Sequence, residues 1–251
     1  MRTRNNSNKG FYFIIVILIV ILVAYSYNQG WFGFLFPKEE VKNVEEKKKE
    51  ENIEKKYELQ TKTKKDEING ATIDVEYPYF NTSVDEVIKK AIDVKVDDFK
   101  NSLSESTPTD QFLNISFFSS NYSRNIYSIK YTIIYSGGIH PIEDVQCNTY
   151  DLDKSRELLI SDIFKGDSSY LNKLSELVYA ELIKDSDVDI SWAKEGTTPK
   201  IENFKNFTLD KENIVFYFAP GAVASNTSGV KEAKLHLSAL KYFLNNQFIN
   251  N

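Results

Sequence analysis

Apolar residues crowd the start of the chain, thin out, and return after residue 70 in alternating and helical patterns. The densest run, Phe11 to Tyr27, carries no charge. Arg2, Arg4 and Lys9 precede it, and the first acidic residue is Glu39. That asymmetry predicts the N-terminus inside a membrane and the C-terminus outside. Seventeen helical residues at about 1.5 Å each span roughly 25 Å, against a hydrocarbon core of about 30 Å. Local thinning or lysine snorkelling absorbs that difference. Trp31, Phe32, Phe34 and Phe36 follow at the depth of an outer aromatic belt. Val23-Ala24-Tyr25-Ser26 makes a poor cleavage site, so the run reads as an uncleaved single-pass anchor. No cysteine directly follows it, which excludes a lipoprotein anchor. Residues 1–10 are then a cytoplasmic stub too short to fold.

Lys38 to Glu67 holds ten lysines and ten acidic residues with few apolar ones. Charge runs of this kind solvate, and Val41 and Val44 are too sparse for a coiled-coil seam. Residues 28–70 therefore read as an aromatic interface followed by a charged spacer. From Ala71 the pattern changes. Ile73, Val75 and Tyr77 alternate as in a strand that ends at Pro78. Ser83-Val-Asp-Glu86 matches a capping box. Val84, Val87, Ile88, Ala91, Ile92, Val96, Phe99 and Leu103 then follow at helical spacing, closed by Thr107-Pro108-Thr109.

Leu113, Ile115 and Phe117 alternate next, then Tyr127, Ile129, Tyr131, Ile133 and Tyr135, with Asn121–Arg124 as a hairpin connection. Ser136-Gly137-Gly138 breaks the second strand, and Val145–Leu152 supplies a third. Ile160–Phe164 reads as a short helical turn. Leu171, Leu174, Val178 and Leu182 mark a second amphipathic helix starting near Asp167 or Ser168. Ile214–Phe218 and Ala233–Ala239 read as further strands, with Leu235 and Leu237 inward. The expected fold class is α+β: an antiparallel sheet with two amphipathic helices and no βαβ repeat. One extracytoplasmic domain over 71–251 is expected, with 71–120 and 121–251 as its two halves.

Composition narrows the chemistry. One cysteine, Cys147, cannot form an intramolecular disulfide, and with two histidines the chain cannot build a His/Cys-rich zinc site. Richness in Lys, Asn, Ile and Tyr suits a bacterial surface protein. Asn81, Asn114, Asn121, Asn206 and Asn226 head glycosylation sequons that matter only on a eukaryotic secretory route. From Ile68 onward the chain holds 18 basic and 26 acidic residues, a net charge of −8. That argues against nucleic acid or anionic lipid as the domain's partner and favours a cationic one.

Candidate sites are few. His140 follows Gly137 and Gly138 and precedes Pro141. It could titrate near neutral pH or touch a ligand; without a visible catalytic partner, the turn role is favoured, with the glycines at positive φ. His236 alternates with Leu235 and Leu237 and faces solvent. Asp185-Ser-Asp187-Val-Asp189 resembles the start of a calcium loop, but Ile190 stands where glycine is needed and Gly196 where glutamate closes the loop. It reads as a solvated helix end. Gly221 to Gly229 lacks the Gly-Lys-Ser/Thr ending of a phosphate loop. No nucleophile elbow or zinc-protease motif occurs, so no metal, cofactor or catalytic residue is assigned. Trp192 is either a glycan-stacking platform or a core anchor.

Tyr135-Ser-Gly-Gly-Ile-His140 and Phe216-Tyr-Phe-Ala-Pro220…Gly229 carry a family resemblance. They resemble the extracytoplasmic domain shared by RsiV-type anti-sigma factors and the N-terminal region of PdaC-type peptidoglycan deacetylases. Thr149–Asp153, Ser161-Asp-Ile-Phe164, the Leu171–Leu182 helix and Glu202-Asn-Phe204…Phe207 fit the same pattern. The likeness spans about Ala71 to Leu244. It implies a cell-envelope binding module with Gly137, Gly138, His140, Trp192 and Pro220 as candidate ligand contacts.

The departures shape the expectation. Ten residues before Phe11 cannot supply a sigma-binding segment, and no deacetylase domain follows before Asn251. Pro220-Gly221 replaces the family's Pro-Tyr, and Ser225 and Asn226 stand where further prolines and tyrosines occur. The expected function is non-enzymatic binding, outside the membrane, of peptidoglycan or a cationic wall-directed protein such as lysozyme. The alternatives are a wall hydrolase or deacetylase accessory, and an assembly partner that pairs through a sheet edge.

Overall fold

The computed structural model describes residues 57–103, 110–137, 140–166 and 168–249. The expected anchor Phe11–Tyr27, the stub before it, most of the spacer, Thr107-Pro108-Thr109 and Gly138 lie outside them. Among the described residues no helix is long and apolar enough to cross a membrane.

The last third of the expected spacer is a strand. β1 (Gln60–Ile68) pairs antiparallel with β2 (Ala71–Tyr79) through a two-residue turn, Asn69-Gly70. Both turn residues have positive φ, 52° and 78°, the twist that a tight hairpin requires. β1 is almost wholly polar because it is the sheet's edge: Lys62, Lys64 and Lys65 deter pairing with another chain. Pro78 sits inside β2 instead of ending it. Pairing of β2 with its other neighbour stops at Val75, so the missing N–H costs no ladder bond.

Helix α1 (Val84–Ser102) follows, and its chain returns as β3 (Phe112–Asn121), parallel to β2 across Thr72–Val75. The expected all-antiparallel sheet is therefore mixed and contains one βαβ crossover. The capping box is also corrected: Ser83 makes no side-chain cap bond. Asp85 reaches back instead, its carboxylate accepting from the Phe80 and Thr82 N–H groups at 2.8 and 2.7 Å. Val84, Ile88, Ile92, Val96 and Phe99 form the buried stripe of α1, whereas Val87 is exposed.

β4 (Ile126–Gly137) and β5 (His140–Asp151) continue the sheet antiparallel, and β6 (Arg156–Leu158) closes it, giving the order β1-β2-β3-β4-β5-β6. Odd residues of β4, Tyr127 to Ile133, pack against α1 with Ile73, Val75 and Ile115. The opposite face meets a second sheet of β7 (Phe207–Leu209), β8 (Asn213–Phe218) and β9 (Lys231–His236). Short helix α2 (Ile160–Ile163) and the longer α3 (Ser169–Leu182) lie between the sheets in sequence. Strand β9 stops at His236, and Leu237–Leu240 is a 3₁₀ turn rather than the strand expected to Ala239.

Period-two alternation in β8 divides two cores. Ile214, Phe216 and Phe218 join Leu174, Val178 and Leu182 of α3, while Tyr217 meets Val145 and Cys147 of β5. The seam between the sheets also carries paired polar groups. The buried Ser128 hydroxyl accepts the Leu209 N–H at 2.8 Å and pairs with Thr149 at 2.8 Å. Asn206 covers the edge of β5: its Oδ1 accepts from the Cys147 N–H, and its Nδ2 donates to the Val145 carbonyl. Cys147 is buried, and burial pushes its thiol pKa up to about 12.

Candidate functional site

The site grows from the turn after α3. Helix α4 (Ile190–Gly196) is capped by Asp189, whose Oδ1 accepts from the Ser191 and Trp192 N–H groups at 2.8 and 2.9 Å. The cap fixes where Trp192 leaves the backbone. Ala193 turns inward and is fully buried, which leaves the Trp192 side chain outward and 45 % exposed. Trp192 is therefore not a core anchor.

The aspartates that resembled a calcium loop have other work. Lys231, at the start of β9, places its Nζ 2.9 Å from Asp185 Oδ2 and 3.5 Å from Asp187 Oδ2. Its side chain is only 10 % exposed, so a resident ammonium fills the place of a cation. The hydrogen bond to Lys231 holds the Asp185 carboxyl below its ordinary range, and the Lys231 pKa is raised in turn. With Asp189 engaged in capping, two carboxylates on a lysine remain. Among the described residues no group of three or more metal-ligating side chains assembles.

A second segment, the loop after β8, closes against α4. The Asp189 N–H donates to the Val223 carbonyl, and Val188 bridges Ala224. Gly196 allows this approach: a Cβ there would lie 2.7 Å from the Ala222 oxygen and 2.8 Å from Val223 Cγ1. On the loop's other side, Gly221 has φ +83°, and a Cβ on it would collide with the Asn226 amide oxygen. Loop residues 221 and 222 are thus gripped from both sides. Gly221 and Asn226 are thus physically coupled, because the Asn226 amide takes the space beside the glycine.

Between α4 and this loop lies a cleft of about 410 Å³. Trp192, Glu195 and Gly196 line one wall, and Gly221 and Ala222 the other. Thr198, Lys200 and Asn203 complete it. Asn203 Nδ2 donates to the Thr198 carbonyl and hydroxyl, both at 2.9 Å, which holds the Thr198–Asn203 segment in shape. The volume sits at the low end of the roughly 300–1,000 Å³ typical of ligand sites. The lining is polar around one indole, an arrangement suited to stacking plus hydrogen bonding.

The sequence-selected residues separate into two places. Trp192 lines the cleft and Pro220, half-buried, directly precedes its Gly221. Gly137 and His140 pair across the open end of the β4–β5 ladder, with His140 exposed, and neither lines the cleft. Gly138 lies outside the described residues. Glu195, Lys200 and Asn203 were not singled out in the sequence. Isolated polar residues near a short helix carry no periodic signal, and only the loop from residue 219 onward, distant in sequence, makes them a wall.

Known proteins resemble this chain in part. Over 184 residues it is 34 % identical to the peptidoglycan-N-acetylmuramic acid deacetylase PdaC of Bacillus subtilis, covering 70 % of this chain and 39 % of PdaC. The chain thus spans about two-fifths of that relative's length. It is 21 % identical over 154 residues to the immunogenic protein MPT64 of Mycobacterium tuberculosis, covering 59 % of this chain and 67 % of MPT64. A crystal structure of a DUF3298 family member from Bacteroides fragilis superposes with a TM-score of 0.53 at 19 % identity, covering 76 % of this chain and 94 % of that one. A DUF3298 family protein from Pseudomonas aeruginosa gives 0.57 at 10 % identity, over 77 % and 98 %. Both establish a shared fold. Residues 161–238, which carry α3, α4 and the strands around the cleft, match the family described as protein of unknown function (DUF3298), so this chain contains a DUF3298 domain.

Proposed function

We propose that this protein is a membrane-anchored, extracytoplasmic binding module of the cell envelope whose Trp192 cleft engages peptidoglycan. The observation that carries the reading is the exposed indole, held by the Asp189 cap at the rim of a polar cleft. An exposed tryptophan buries large apolar area at small entropic cost when a ligand stacks on it. The relationship to a protein named for acting on peptidoglycan supports the wall as the setting. The Phe11–Tyr27 run and its flanking charges support the anchor and the orientation. The module acts without its own catalytic centre.

A second reading, capture of a cationic wall-directed protein such as lysozyme, is favoured by the net charge of −8 from Ile68 onward. One experiment separates the two. The full chain in detergent is pulled down on purified sacculi and, separately, titrated with lysozyme at low and physiological salt. Retention on sacculi that is lost in Trp192→Ala is the expected result. Lysozyme binding that salt abolishes, without sacculus retention, favours the second reading, and silence in both assays sinks the module idea.

A further inference from the structure

Glu195 and Lys200 line the same cleft yet form no ion pair with each other or with any other described residue. Lys231 with Asp185 and Lys184 with Glu181 are paired, whereas Lys194, Glu202 and Lys205 have no ion pair among the described residues and do not line the cleft. Beside the two free charges, Asn203 spends its Nδ2 on Thr198 and leaves Oδ1 without a protein donor among the described residues. The Trp192 indole N–H likewise has no protein acceptor among them.

Resting on the peptidoglycan reading, we propose that the cleft selects the peptide portion of the wall: a short peptide bearing both a free ammonium and a free carboxylate. Glu195 takes the ammonium, Lys200 the carboxylate, Asn203 Oδ1 a peptide N–H, and an aliphatic side chain covers the indole. A neutral glycan leaves both charges unmatched and uses only the stacking face. Opposite charges lining one cleft make a dipolar site whose complement is a zwitterion. The facing wall, loop residues 221–222, is locked between α4 and Asn226 by Gly196 and Gly221, so the ordering cost of binding falls on the exposed Glu195 and Lys200 side chains.

The test is calorimetric titration of the full chain with Nα-acetyl-Lys-D-Ala-D-Ala, whose one ammonium is free, its Nα,Nε-diacetyl form, its C-terminal amide, and chitotetraose. The first, with ammonium and carboxylate both free, is expected to bind best. Each blocked form should bind up to about fivefold more weakly, the scale of one exposed charge pair. Raising salt to 1 M should shrink that difference. Lys200→Gln should erase the penalty of amidation, Glu195→Gln that of Nε-acetylation, and Trp192→Ala should weaken every tripeptide. Equal affinity for free and blocked tripeptides, or discrimination unchanged in both charge variants, overturns the proposal. Binding of chitotetraose without the tripeptide also overturns it while leaving sacculus binding intact. Loss of sacculus binding itself strikes the underlying reading instead.

Discussion

Around α1, one stripe of five aliphatic and aromatic side chains meets alternating residues of β2, β3 and β4, Asp85 caps the start, and Asp93 and Lys100 form ion pairs with Lys64 and Asp66 of β1. Around α4, the helix has seven residues, its one buried side chain is alanine, and its place is set by Asp189, Lys231 and two glycine contacts. The first region is held by apolar area and the second by fit between backbone segments. The difference teaches where binding can sit. The long helix spends its one aromatic side chain, Phe99, on the core, whereas a short helix pinned by its cap can turn a tryptophan outward.

The comparison breaks first in the cores. Phe216→Ala, in the core under α3, should cost about 3–5 kcal/mol, and Ile88→Ala, under α1, about 2–5 kcal/mol, because both side chains are fully buried. Since β4 and β5 face both cores, urea unfolding should stay a single transition in each variant. Two separable transitions would show that the regions fold independently.

Smaller effects sharpen it. Gly196→Ala forces a backbone carbonyl aside and should cost about 1–3 kcal/mol in thermal or urea unfolding, with loss of sacculus binding. Asn226→Gly should relieve part of the cost of Gly221→Ala, so a double-mutant cycle should show coupling; additive effects would deny the contact. Asp85→Ala should cost about 0.5–2 kcal/mol by losing its cap bonds, while Ser83→Ala should be nearly silent. A reversed ranking would restore Ser83 as the functional cap.

The slightest effect is a pH dependence. Asp185 is held below the ordinary aspartate value of 3.8, so its contribution is complete above that value and fades as pH falls through the lower folded one. Lys231, raised above 10.5, keeps its contribution until pH climbs through the raised value. Lys231→Met should therefore flatten the acid limb of the stability profile, read by urea midpoints between pH 2 and 5.

Much of the scaffold was legible because periodicity reports burial directly. The α1 stripe, the alternation of β3 and β4, and the α3 face all follow from it. β1 was not legible that way, since a polar edge strand mimics a solvated spacer; Asn69-Gly70 was the signal that marked its hairpin. The parallel β2–β3 pair was hidden because strand direction depends on where the α1 connection returns the chain. The calcium resemblance dissolved on contact with Lys231, a residue 46 positions away from Asp185.

By itself the sequence determined the α+β class, the two principal helices, the inward faces and an acidic domain behind an apolar N-terminal run. Those properties depend on neighbours within a turn or a strand, where spacing alone encodes which side meets the core. Tertiary structure decided the mixed sheet, the lysine inside the acidic turn and the cleft beside Trp192. Each of these joins segments far apart in sequence, and their meeting is set by how closely backbones pack, at Gly196 and Gly221, rather than by any local pattern.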